Sequence, residues 1–112
     1  PISPEDLDGY VEVCRALDMA VAGGENEFTK FRFREILAKR AMDIIQPDVC
    51  AAGGITECKK IAALAQAHAV QCVPHAWGTA IGMAATNANP TRMCWASSGS
   101  YHSRIISVTR KI

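Results

Sequence analysis

Apolar positions along the chain recur with two alternating periods. Leu7, Tyr10, Val11 and Cys14 repeat at helical spacing, with Glu5, Asp8, Glu12 and Arg15 on the other face, so a first amphipathic helix is expected to run to about Leu17. Its start is written in Ser3-Pro4-Glu5-Asp6: a serine to cap, a proline whose missing N–H costs nothing in the first turn, and acids favoured by the helix dipole. Residues 19–22 form a brief apolar run ending in Gly23-Gly24, the pattern of a buried strand leaving a sheet, and Glu25 follows at once. Thr29 is expected to cap a second helix through about Arg40, with Phe33, Ile36 and Leu37 turned inward and Lys30, Arg32, Arg34 and Lys39 outward. Residues 43–46 read as the next strand, stopped by Pro47. Gly53-Gly54 then leads into a third helix over residues 55–68 that buries Cys58, Ile61, Ala62 and Ala65. Residues 70–73 read as a third strand, stopped by Pro74 just before His75, and residues 78–86 as one more short helix.

Helix and strand thus alternate at intervals of about 25 residues, and each strand ends in a polar residue. Two architectures suit such a repeat, an open doubly wound sheet or an arc of a closed eight-stranded barrel. No G-x-G-x-x-G or P-loop follows any strand, which argues against the nucleotide-binding version. The expected fold is therefore α/β, a partial (β/α) TIM-type barrel of about three β/α units over residues 1–86. An irregular tail, residues 87–112, follows, where Ser, Gly, Arg and isolated apolar residues show no period.

Residues 44–75 carry the candidate chemistry. Strand, helix, strand in that order brings the ends of both strands to one side of a parallel sheet, because the crossover helix returns the chain to its starting level. Asp48 and His75 should then be neighbours, a carboxylate beside an imidazole, which is a proton-transfer pair. Glu25 ends the preceding strand in the same way and is a candidate metal ligand on the same rim, which in α/β barrels holds the active site. Each residue also has a plainer reading: Asp48 as a turn cap, His75 as a surface imidazole, Glu25 as a loop carboxylate paired with a lysine.

Charge and cysteine content change this picture little. The 112 residues suffice for one compact domain,. All 11 acids lie at or before Glu57, so the second half is basic, but its bases are scattered without interleaved aromatics and nucleic-acid binding is not expected. The 5 cysteines are odd in number and lack metal-ligand spacing; they read as small buried hydrophobes of a protein in the reducing cytoplasm. No apolar run is long enough to span a bilayer.

The words Gly24-Glu25-Asn26, Gln46-Pro47-Asp48, Gly53-Gly54-Ile55-Thr56-Glu57 and Val73-Pro74-His75-Ala76-Trp77-Gly78-Thr79, together with the spacing from Glu25 to Asp48 to His75, resemble the barrel of the mandelate racemase and muconate-lactonizing branch of the enolase superfamily. The resemblance covers residues 1–82. It implies a Mg²⁺ enzyme acting on a small-molecule carboxylate with an acidic α-proton, most closely an acid-sugar dehydratase, otherwise a cycloisomerase or racemase. It further implies Glu25 as a carboxylate ligand of the cation, His75 as general base, and Asp48 as the group that orients the imidazole and stabilises its protonated form. Asn26 and Glu27 stand beside the implied ligand, to support it or to cap the next helix. Trp77 either walls the pocket or packs as an ordinary aromatic. Gly53-Gly54 either offers amides to an anion or forms a tight turn.

Family members are longer, so the chain is expected to begin inside the barrel, with further metal-ligand carboxylates and a lysine acid/base encoded upstream. The full-length protein is expected to be a homo-oligomer. The tail from Asn87 departs from the family pattern, as a truncated or frame-shifted sequence would, and no acid follows Glu57. A catalytically inactive fragment serving as a structural or interaction module is the alternative of another class.

Overall fold

A computed structural model describes residues 2–88 and 105–107. The elements run α1 (Leu7–Ala16), β1 (Ala20–Gly23), α2 (Thr29–Lys39), β2 (Ile44–Ile45), α3 (Ile55–Ala67), β3 (Gln71–Cys72), α4 (Ala80–Asn87) and β4 (Ile105–Ser107). All four strands are parallel, in the order β3-β2-β1-β4. β1, β2 and β3 therefore lie side by side in the order of the sequence, as strands of a β/α barrel do. β4 departs from that order: it pairs with the outer edge of β1, and it supplies a strand within the segment expected to be irregular. The result is an open parallel sheet with barrel-like succession in its first three strands.

Helices α1, α2 and α3 share one core with the sheet. Leu7 and Tyr10 of α1, Phe33, Ile36 and Leu37 of α2, and Cys58, Ile61, Ala62 and Ala65 of α3 close over Val21, Ile45 and Cys72 of the strands. The inward stripes expected from the helical periods are the ones buried.

The helix starts differ from expectation. Ser3 does not cap α1; its carbonyl accepts from Asp6 N in a turn, and the Asp6 carboxylate caps by accepting from Gly9 N at 2.9 Å. Thr29 does not cap α2 either. It is the first residue of that helix, with φ of 57°, a strained value for a β-branched residue, and its N–H goes to Ala52 O. The cap comes from α3, where the Glu57 carboxylate accepts from Lys30 N at 2.9 Å and from Lys30 Nζ at 3.2 Å. The outward basic stripe of α2 is accordingly engaged at Lys30, at Arg32 with Glu27 and Glu35, and at Lys39 with Asp8.

Candidate active site

The hydrogen-bond register brings the site together. Ile44 stands opposite Gln71 and Ile45 opposite Cys72, and the same register continues past Pro47 and Pro74 to an isolated parallel bridge between Asp48 and His75. Val73 N donates to Ile45 O at 2.9 Å and His75 N to Pro47 O at 3.1 Å. Each proline removes a donor and ends a strand, yet the ladder resumes a residue later and delivers both functional groups to one rim.

Asp48 uses its two carboxylate oxygens separately. Oδ1 accepts from Cys50 N at 2.7 Å, and Oδ2 lies 2.8 Å from His75 Nδ1. The plainer reading of Asp48 as a turn-former is thus half of the truth: the turn holds one oxygen so that the other faces the imidazole. An ionised carboxylate only accepts, so Nδ1 carries a proton, and the neutral ring then presents a lone pair at Nε2. Nε2 lies 3.3 Å from Glu25 Oε2. Two acceptors face each other there unless a proton sits on Nε2; the doubly protonated ring donates to both carboxylates. The side chains of Asp48, Glu25 and His75 are 11, 20 and 26% exposed. The Asp48 carboxylate is the most enclosed of the three and the imidazole the most reachable.

Several groups beside the triad were assigned too simply by sequence pattern. Glu27 is buried and accepts from Arg32 Nε at 3.0 Å, while Arg32 Nη2 donates to Pro4 O at 3.0 Å and Nη1 to Glu35 at 3.2 Å. Arg32 therefore pins the loop that carries Glu25 to the chain before α1. Burial works against its charge, but the hydrogen bonds and charges of Glu27 and then Glu35 outweigh that and hold its pKa above the usual value. Periodicity marked Arg32 as outward and gave no sign of this; the acid five residues before it was the available signal. Tyr10, from α1, is a second such group. Burial raises its phenol pKa, with Glu27 and Glu25 adding to the rise.

Asn26 lies exposed on the loop after Glu25. Trp77 is 81% exposed, which overturns the packed-aromatic reading. At Gly53-Gly54 both residues have positive φ and Gly54 N donates to Val49 O at 2.9 Å, so one of the two amides is spent on the turn. Cys58 and Cys72 are buried as expected, whereas Cys50 is exposed. Burial, with the Asp48 charge next, pushes the Cys58 thiol up to about 11, as suits an inert packing group. Cys94 and His102 lie outside the described residues.

Glu25 offers the oxygen donor that a hard divalent cation prefers. Among the described residues no group of three or more His, Cys, Asp or Glu side chains gathers to hold a metal ion. Glu25 thus has the donor chemistry suited to one ligand, and the described residues do not complete a set of three,. No helix among the described residues is long and apolar enough to cross a membrane.

A parallel β/α succession with a carboxylate-held imidazole and a second carboxylate on one rim makes this an α/β domain with an ionisable cluster at its strand ends. The chain belongs to the enolase C-terminal domain-like family, whose model matches residues 1–107, and so to the enolase superfamily in its mandelate racemase and muconate-lactonizing branch. The match runs on through most of the tail that had looked foreign. The chain is 45% identical over 85 residues to the D-galactarolactone cycloisomerase of Agrobacterium fabrum, covering 76% of this chain and 22% of that protein. It is 43% identical over 75 residues to the D-galactonate dehydratase of Pectobacterium atrosepticum, covering 67% of this chain and 20% of that protein. Among solved structures it resembles the 3,6-anhydro-D-galactonate cycloisomerase of Zobellia galactanivorans, with TM-score 0.77, 40% identity, and coverage of 99% of this chain and 30% of the other. The chain thus spans about a fifth of the length of these curated relatives.

Proposed function

We propose that this chain supplies the proton-transfer pair and one metal-ligand carboxylate of a Mg²⁺-dependent enzyme acting on a sugar acid, a dehydratase or else a cycloisomerase. The observation that carries the reading is the 2.8 Å contact between His75 Nδ1 and Asp48 Oδ2, which turns Nε2 toward the rim beside Glu25. The sugar-acid chemistry in the names of the relatives supports the substrate class. Nε2 takes the proton α to the substrate carboxylate, and Asp48 compensates the imidazolium that forms without itself moving a proton. In a dehydration the same nitrogen returns a proton to the departing β-hydroxyl. The chemistry a divalent cation supplies when bound is neutralisation of the charge that builds on the substrate carboxylate, with Glu25 as one of its oxygen ligands. Trp77 and Asn26, both exposed after strand ends on this rim, are the side chains proposed to meet substrate or to support the ligand.

The test is to assay the chain and a version extended upstream against a panel of aldonates and aldarates, with and without Mg²⁺. The extended protein should turn over at least one of them in a Mg²⁺-dependent way, and His75→Asn should lower kcat by about 10²–10⁴-fold, the usual worth of a positioned acid/base group. Undiminished turnover in the variant overturns the role of His75. An inactive structural module is the second reading, favoured by the single metal-type carboxylate on the described rim, and silence of the extended protein at every substrate selects it.

A further inference from the structure

We infer that the Glu27–Arg32 ion pair is a positioning device for Glu25: through the loop between β1 and α2 it fixes where the Glu25 carboxylate stands against the imidazole of His75. The inference deepens the proposed function, on which the role of Glu25 as a metal ligand rests, but the placement of that carboxylate is readable without it. Glu25 and Asn26 are the two central residues of a turn, closed by Glu27 N donating to Gly24 O at 3.2 Å,. The direction in which Glu25 leaves the backbone is therefore set by the two ends of the turn. The Gly24 end is built into the core: Gly23 O accepts from Gln46 N at 2.7 Å, and Gly24, with φ of +104°, lies beside the Phe33 ring. The Glu27 end lies outside any strand or helix. It is held by its side chain, which accepts from Arg32 Nε at 3.0 Å.

Arg32 suits the task because a guanidinium is a planar fork that can be fixed from several directions at once. Nη1 donates to Glu35 Oε2 at 3.2 Å, and Nη2 to Pro4 O at 3.0 Å and Glu5 O at 3.4 Å. The fork is thus anchored on α2 and on the chain before α1, and its Nε edge meets the loop. Packing does not explain the pair. Glu27 is 6% exposed, and replacing a buried ion pair by apolar side chains of similar volume is often neutral or stabilising. Glu27 also carries its charge near a second carboxylate, since both Glu27 and Glu25 act on the buried Tyr10 phenol. Glu35 would by itself give Arg32 a partner within the helix,. What the Glu27 bond adds is direction, because it is buried and fastened two residues beyond Glu25.

Nuclear Overhauser contacts between the Glu25 γ-protons and the His75 ring read the placement directly in the 112-residue chain, where Glu25 Oε2 and His75 Nε2 are 3.3 Å apart. The contact should be present in the parent, persist in Glu35→Gln, which removes the other charge on Arg32, and fall at least threefold in Glu27→Met. Glu27→Met combined with Arg32→Met is the sharper variant, because it leaves no buried charge unpaired. Its urea midpoint should match that of the parent while the Glu25–His75 contact stays weak; a pair serving stability alone would let both recover. The double variant also reads the contact should Glu27→Met by itself not fold. A contact absent from the parent, or undiminished in the double variant, overturns the inference. In the extended protein the double substitution should weaken binding of Mn²⁺, a spectroscopic stand-in for Mg²⁺, by about 10–100-fold, and Glu25→Gln at least as much. Mn²⁺ binding lost in Glu25→Gln but unchanged in the double variant overturns the positioning role. Unchanged binding in Glu25→Gln, beside a weakened contact in the double variant, overturns Glu25 as a ligand and leaves its positioning standing.

Discussion

At the residue scale the site depends on Asp48 dividing its oxygens between a backbone N–H and an imidazole. Asp48→Asn tests this division because the amide has one acceptor and one donor. If its oxygen stays on Cys50 N, its NH₂ faces His75 Nδ1 and only the tautomer protonated at Nε2 fits, which abolishes the base. If its oxygen turns to Nδ1, NH₂ meets Cys50 N–H and the turn is broken. Either way the extended enzyme should lose about 10²–10⁴-fold in kcat, with circular dichroism unchanged; activity within a few fold of the parent contradicts the role of Asp48. The thiols give a second test, independent of catalysis. Cys50 is exposed while Cys58 and Cys72 are buried, so brief alkylation of the folded chain followed by peptide mapping should modify Cys50 and spare the other two until denaturant is added. Asp48 and His75 were legible in the sequence because strand–helix–strand order determines on which side both strands end. The Arg32 tie was not legible, because a helical period reports which face points inward and says nothing about what an outward side chain reaches.

At the element scale the loops after β1 and before α3 carry the conformational demands. Gly24 has φ of +104°, and a Cβ there would lie 3.0 Å from Phe33 Cε1, part of a ring that is 0% exposed. Gly54 has φ of +90° but nothing within 4 Å of the same position. Alanine is strained at both, and at Gly24 it must also displace a ring packed on every side. Gly24→Ala should therefore destabilise by about 1–3 kcal/mol and by more than Gly54→Ala, read from the midpoints of urea unfolding. Glu57 joins two elements, and its pKa is held below the usual glutamate value, chiefly by the hydrogen bond from Lys30 N, with burial opposing and the Lys30 side-chain bond and the Lys30 and Lys60 charges assisting. A depressed carboxyl pKa stabilises the fold above the unfolded value, and that contribution is lost as pH falls through the lower folded value. Glu57→Gln should thus flatten the acid limb of the stability curve below pH 4.5, seen as a smaller change in urea midpoint between about pH 6 and pH 3; an identical acid limb in parent and variant contradicts the cap. Sequence pattern located the helix ends within a residue or two, except that α1 starts three residues later than expected, and it misassigned both N-terminal caps. Ser3 and Thr29 have the right chemistry in the right place along the chain, and the groups that cap are Asp6, nearer the helix, and Glu57, from a different helix that only the folded chain brings near.

On the scale of the whole molecule, the first three strands were legible because each β/α unit carries its own period, whereas β4 was not, because three residues hold no period. Trp77 and Ile81 are 81 and 82% exposed, and Met83 is 54% exposed close by in α4, on the element that follows the last strand of the barrel-like succession. Large apolar side chains exposed within one short segment favour a contact that covers them. The 112-residue chain should therefore self-associate with rising concentration, as measured by sedimentation velocity at micromolar loading. Trp77→Lys combined with Ile81→Lys should shift it toward monomer while leaving the unfolding midpoint little changed, because neither side chain contributes to the core. A double-lysine chain that associates as strongly as the parent would show that these α4 side chains are not the contact.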